Sequence, residues 1–273
     1  MSDFATGGFL TGLAVSGGVV SAVFAVTWVA AQRVGRWAVV DVTWGLSFAA
    51  VALASLGWSQ GRSADGTRGV LVAAMVGVWG LRLAGYIALR SRGKGEDPRY
   101  EAMFAKAKGS PAVYAIKIVF APQAVISFLV SIPVQVAMYE LSSPGVLAWV
   151  GVAVWAVGMF FETVGDAQMA AFRADPANSG QVMDRGLWHY TRHPNYFGDT
   201  CIWVGVWLVA AQQWQGVLAF ASPALMFYFL YFASGKALLE KMMARRKPGY
   251  AEYMERTSGF FPLPPRKRRV SPV

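Results

Sequence analysis

Cysteine occurs once in 273 residues, at Cys201. A lone thiol excludes an internal disulfide and a thiolate metal cluster. Histidine occurs twice, and the pair His189 and His193 has no matching set of carboxylates around it, so no metal site is expected. Charge is scarce as well: Asp, Glu, Lys and Arg make up 15% of the chain, whereas 55% is hydrophobic and 11 residues are Trp. A soluble domain of this size is not built from that mixture. No glycine-rich fingerprint follows a strand, which excludes a Rossmann-type dinucleotide fold. No basic segment precedes the first apolar stretch, since Met1 to Leu10 carries only Asp3. That stretch is therefore read as a retained span and not as a cleaved leader. Neither an internal repeat nor a soluble second domain is visible, and residues 1–273 read as one transmembrane domain.

What is present is a series of long apolar runs. Seven of them, about 7–31, 38–58, 69–90, 113–139, 145–171, 197–212 and 215–234, predict an all-α polytopic membrane protein with about seven transmembrane helices. Pro122 and Pro133 fall inside the fourth run and predict bends there. Gly12, Gly17 and Gly18 in the first predict close helix contact. The net charge of +10 lies in the connections, where membrane topology explains it better than a nucleic-acid partner does. Two Lys or Arg residues lie in the first connection, six from Arg90 to Lys108, three from Arg173 to Arg192 and ten from Lys236 to Arg269, against Arg62 and Arg68 on the other side. By the positive-inside rule this is an integral protein of the cell inner or plasma membrane, with its N-terminus outside and its tail cytoplasmic. The tail, from about residue 234, mixes apolar and basic residues and is expected to lie along the inner surface, closing over the loops, with Arg266 to Arg269 as a lipid-facing anchor. Oligomeric state leaves no signature.

Ionisable residues within membrane spans are costly and mark function. Asp41, Glu162, Asp166 and Asp199 all fall in the expected cytoplasmic half. Arg82, Tyr86 and Arg90 recur every four residues and share one helix face, and Glu162, Asp166 and Arg173 form a comparable stripe. Together with Asn195 to Asp199 these stripes predict a polar cavity open to the cytosol. Interhelical ion pairs such as Arg82 with Asp41 or Glu162 are the plainer alternative.

The segment Gly186-Leu187-Trp188-His189-Tyr190-Thr191-Arg192-His193-Pro194-Asn195-Tyr196-Phe197-Gly198-Asp199 leads straight into an apolar run. Pro194 is pre-set for the first turn of a helix and pushes His193 out of helical geometry. The helix start offers N–H groups and a positive dipole end to an anion, with Arg192 beside it. Trp188, Tyr190 and Tyr196 also suit an interfacial belt.

This segment resembles the C-terminal signature of the steroid 5-alpha-reductase-like family, in particular its bacterial DUF1295 branch. Asn195-Tyr196-Phe197-Gly198-Asp199 is similar to the reductases' Asn-Tyr-Phe-Gly-Glu, and Gly186-Leu187-Trp188 to their Gly-Leu-Phe. The resemblance is most specific over about 158–199 within a signature region of about 113–265. It implies a cytosol-facing cavity for NADPH, contacted by Asp166, Arg173, Asn195, Asp199 and Tyr250, with Glu162 in place of a family Asn. Tyr190, Arg192, His193 and Tyr196 belong to the same segment, and Arg82, Arg90, Arg99 and Arg246 are the basic candidates for cofactor phosphates. Glu96-Asp97-Pro98-Arg99-Tyr100 also resembles a stretch typical of the bacterial branch.

The implied chemistry is hydride delivery to an activated C=C of a lipophilic small-molecule substrate, a 3-oxo-4-ene steroid or another unsaturated lipid, within membrane lipid. The reductases' catalytic Tyr falls at Trp79, which cannot act as an acid, so Asp41 and Tyr86 are the candidate proton donors. Arg192-His193-Pro194-Asn195-Tyr196-Phe197-Gly198 resembles in addition the Arg-His-Pro-x-Tyr-x-Gly of isoprenylcysteine carboxyl methyltransferases. Glu240 with Tyr250 and Tyr253 supports that S-adenosylmethionine-dependent alternative, and Lys241, where those enzymes carry a second glutamate, counts against it.

Overall fold

The computed structural model describes residues 4–60, 66–233 and 236–266. Asp3, Arg62 and the basic run Lys267 to Arg269 lie outside the described residues. Among those described, regular structure is helical: α1 (Thr6–Val34), α2 (Val39–Ser59), α3 (Thr67–Ser91), α4 (Pro98–Phe104), α5 (Pro111–Tyr139), α6 (Val146–Ala174), α7 (Leu187–Tyr190), α8 (Pro194–Ala210), α9 (Trp214–Ala233), α10 (Lys236–Arg246) and α11 (Tyr250–Arg256). Six of these, α1, α2, α3, α5, α6 and α9, are long and apolar enough to cross a membrane. Large apolar side chains such as Leu53, Leu81, Trp149 and Phe160 are more than half exposed on them, as on helices that face lipid. The chain is an all-helical, polytopic membrane protein. The sixth expected span, about 197–212, corresponds to α8, which has 17 residues and so rises about 25 Å at ~1.5 Å per residue. That is shorter than a hydrocarbon core of about 30 Å.

Prolines shape α5 as expected. It is helical over Pro111–Ala115, widens to a π turn at Ile116–Phe120, resumes over Ala121–Val130 and breaks at Ser131 before Ile132–Tyr139. Pro122 and Pro133 each lack an N–H, so carbonyls a turn earlier must find other donors or spread. A second π turn, Phe229–Ala233, ends α9.

The chain divides into two compact units, Met1–Trp149 with Val206–Ser222, and Val150–Gly205 with Pro223–Val273. In the first, α2 and α3 touch backbone to backbone because Gly45 and Gly80 face each other, leaving no room for a side chain on either. Hydroxyl pairs join its helices: Ser16 with Ser55 at 3.0 Å, Thr27 with Thr43 at 2.8 Å and Ser47 with Ser127 at 3.3 Å. Such pairs matter where apolar surface alone gives neighbouring helices no preference over lipid. On α1, Gly8 and Gly12 receive the ring of Tyr139, but Gly18 has no heavy atom within 4 Å of an added methyl. The expected close contact therefore holds at Gly12 and not at Gly18.

Arg68, expected in an outer connection, is instead fully buried. Its guanidinium lies 3.5 Å from Glu140 and donates to the carbonyls of Ser142, Ser143 and Val209 and to Gln212. Burial raises the Glu140 carboxyl above its usual range despite the opposing Arg68 charge.

Candidate functional site

In the second unit, α6 and α8 cross in antiparallel fashion through small residues. A methyl on Gly158 would meet the carbonyl of Gly198 at 2.5 Å, one on Gly198 the backbone N of Glu162 at 2.7 Å, and one on Gly165 the ring of Pro194 at 3.1 Å. Contact at successive turns holds Glu162 and Asp166 of α6 against the opening turns of α8, where Asn195 and Asp199 stand. Glu162, Asp166 and Asp199 are 3%, 5% and 8% exposed. Carboxylates sunk to that degree beside an apolar helix crossing require polar partners around them.

The loop ahead of α8 is anchored residue by residue. Gly186 takes φ of +58°, a backbone conformation only glycine adopts readily, and the Gln168 side chain packs where a Cβ would stand. Leu187 N–H donates to Gln168 Oε1 at 2.9 Å and the Trp188 indole to the carbonyl of Gly165 at 2.9 Å. The C-terminal segment then closes over the loop. Tyr253 donates to the carbonyl of Trp188, Leu263 N–H to that of Tyr190, Arg192 N–H to that of Ser258, and Thr191 Oγ1 to that of Phe260 at 2.7 Å. The apolar-basic tail thus seals the loop, as its composition suggested.

At the centre, Arg192 Nε donates to Glu240 Oε1 at 2.8 Å, and His193 Nε2 lies 3.1 Å from the same oxygen. Arg192 Nη1 donates to the carbonyls of Met254 and Thr257. His193 stacks on Tyr196 with ring centroids 5.2 Å apart. Burial pushes the imidazole below its ordinary value of 6.5 despite Glu240, so it is neutral at pH 7. Burial alone would raise the Glu240 carboxyl, but hydrogen bonds from His193 and Arg192 outweigh it and hold the group down at about 2. Burial pushes the Tyr250 hydroxyl up to about 12, helped by Glu240. The result is a neutral imidazole and the protonated Tyr250 phenol beside one fixed ion pair.

Those features coincide with a family match. Residues 27–257 match the family described as "Protein of unknown function (DUF1295)". The chain belongs to that family. The DUF1295 match spans both carboxylate-bearing helices, the Arg-His-Pro loop and most of the tail. A similar stretch occurs in the uncharacterized protein C594.04c of Schizosaccharomyces pombe, 30% identical over 77 residues. That stretch is 28% of this chain and 22% of the yeast protein's length. No solved structure matches the chain significantly.

Within this DUF1295 chain the expected site residues fall in separate groups. Glu162, Asp166, Arg192, His193, Asn195, Tyr196, Asp199 and Tyr250 assemble in the second unit as described. Arg173 and Arg246 are exposed at the ends of α6 and α10, and Tyr190 is 46% exposed. Arg82, Tyr86 and Arg90 belong to the first unit, with the two guanidinium carbons 5.6 and 5.5 Å from the Tyr86 ring centroid. Asp41, also of the first unit, accepts from Arg99 at 2.8 Å and from Tyr100 at 2.6 Å. Glu96 receives the N–H groups of Trp37 and Ala38 at the start of α2, and Asp97 caps α4 through Arg99 N–H at 2.8 Å. The Glu-Asp-Pro-Arg-Tyr stretch is a clasp between two helix starts, and burial together with Asp41 raises the Tyr100 hydroxyl. Lys236 and Trp188 were not among the expected cofactor contacts, and Glu240 and Tyr253 were expected only for the S-adenosylmethionine alternative. The tail cations were absorbed into the topology count, and Glu240 stands 47 residues from its partner His193, beyond any local pattern.

Proposed function

We propose that this protein is a membrane-embedded, NADPH-dependent reductase of a C=C bond in a lipophilic substrate, with its tail cytoplasmic and its N-terminus outside. The observation that carries the reading is the trio Glu162, Asp166 and Asp199, buried around the start of α8 within the segment that resembles the steroid 5-alpha reductases. The donor set fits the cofactor. Carboxylates and an amide accept from and donate to ribose hydroxyls and a carboxamide, and the helix start with its flanking cations suits phosphate. When bound, NADPH supplies hydride to the β-carbon of an activated alkene. Glu162, Asp166, Asn195 and Asp199 would hold and orient it, and Tyr250 and Tyr253 close the tail over the loop. The experiment is NADPH binding by ligand-dependent thermal stability in detergent, since a ligand selective for the folded form raises the midpoint. Asp166→Ala and Asn195→Ala should each weaken binding about tenfold or more, the equivalent of a lost charge-assisted hydrogen bond. Tyr86→Phe should leave it unchanged. Unaltered NADPH affinity in both α6 and α8 variants would sink the reading.

One observation favours a second reading. Glu240 sits directly on Arg192 and His193, joining the tail glutamate to the Arg-His-Pro motif that resembles the isoprenylcysteine methyltransferases. A selective response to S-adenosylmethionine in the same assay would transfer the site to methyl transfer.

A further inference from the structure

The second unit contains a cavity of about 330 Å³ whose wall mixes cations with aromatic rings: Arg192, Lys236, Arg256 and Arg266 with Tyr231 and Phe260. Glu255 is the acidic residue in that wall. Two of the cations are matched elsewhere, Arg192 by Glu240 and Arg256 by Asp184. Lys236 and Arg266 have no carboxylate partner among the described residues, and the Lys236 ammonium lies 4.2 Å from the Tyr231 ring centroid. Gly259 is where the charges converge. A methyl there would stand 3.0 Å from an Arg192 guanidinium nitrogen and 3.2 Å from Lys236 Nζ, and only 2.7 Å from Lys236 Cε.

An arginine and a lysine drawn to one point repel each other unless an anion lies beside them. Glu240 offsets one of those charges, and the absent side chain at Gly259 lets the Lys236 ammonium and the Arg192 guanidinium approach one another there. A forked guanidinium next to a mobile ammonium is a pairing suited to phosphate. The volume exceeds what a phosphate group needs, and the aromatic wall provides an apolar flank for whatever carries it. We propose that this cavity is a phosphate-monoester site, in which Lys236 and Arg192 bind the anion and Gly259 lets the two cations approach it together. Its source is either a lipid headgroup or a soluble phosphate ester. The inference stands apart from the redox reading, because it requires neither nicotinamide nor turnover.

The test uses the full chain in detergent with three probes at matched ionic strength: phosphatidic acid, 2′,5′-ADP and inorganic phosphate, with sodium chloride as the blank. Thermal midpoints are recorded for the wild type, Lys236→Gln, Lys236→Arg and Gly259→Ala. At least one phosphate probe should raise the wild-type midpoint above the chloride blank. Lys236→Gln should weaken that response about tenfold, Lys236→Arg should keep most of it, and Gly259→Ala should abolish it. A response to phosphatidic acid alone assigns a lipid headgroup; one to 2′,5′-ADP assigns a nucleotide. Responses equal in the wild type and Lys236→Gln, or absent with all three probes, overturn the proposal even if Gly259→Ala fails to fold. A Lys236-dependent phosphate response without any NADPH response would sink the reductase reading and leave this site standing.

Discussion

Glu240 receives both Arg192 and His193 on one oxygen, and that geometry sets how the protein meets acid. Each titrating partner has a folded value below its ordinary one, 6.5 for His193 and 4.5 for Glu240. The unfolded chain then binds more protons, so stability is full above about pH 6.5 and falls as pH falls. The first loss begins as unfolded imidazole takes up its proton below 6.5. A second follows between 4.5 and about 2 as the carboxylate is neutralised. Thermal unfolding followed from pH 8 to 3 should show a flat midpoint near neutrality and then this decline. Glu240→Gln should lower stability at pH 7 by about 2 kcal/mol, as the loss of a charged acceptor does, and remove the loss below 4.5. A midpoint that rises on acidification would contradict the neutral His193. At this scale the sequence was informative where residues are neighbours: Arg192, His193 and Asn195 stand in one run. It was silent on Lys236 and Gly259 and on the pairing of Glu240 with Arg192 and His193, which comes from chain segments that meet only after folding.

Helices in this protein approach one another where glycine permits it. At the α6–α8 crossing, Gly198 has no space for a methyl between the Gly158 carbonyl and Glu162. Gly198→Ala should push the two helices apart and cost about 1–3 kcal/mol, as overpacked contacts do. Gly18→Ala on α1, with nothing within 4 Å, should be neutral or stabilising by roughly 0.5–1 kcal/mol, the usual helix preference for alanine. Melting of the two variants side by side checks this, and equal effects would show that glycine spacing is not what brings α6 and α8 together. Helix existence was legible because apolar runs of twenty or more residues have few alternatives in lipid. The prolines also announced the breaks in α5, and Pro194 the start of α8. Which glycines touch was not legible, since a helix shows the same residues whichever neighbour it meets. Arg68 was misplaced for a related reason: a lone arginine at a helix start resembles a loop cation until Glu140 and three carbonyls are found around it.

For the molecule as a whole, the open quantity is parity. Six helices qualify as spans, and α8 decides whether the connections before and after it face the same side. The charge pattern expects α8 to cross. In a Cys201→Ser background, a cysteine placed at Gln181 should be labelled by a membrane-impermeant thiol reagent only from the cytosolic side, and one at Gln213 only from the other. Labelling of both from one side would make α8 a helix that enters without crossing. Fold class was legible from composition alone, whereas division into two units was not, because both are built from the same apolar helices. The seal over the Arg-His-Pro loop has a further meaning in time. Thr191 and the Phe260 carbonyl that it bonds are 69 residues apart. At ribosomal speeds of about 5–20 residues per second, the loop waits roughly 3–14 s for its cover. During that interval a newborn chain presents bare arginine and histidine to its surroundings, and whichever anion is abundant there meets them first.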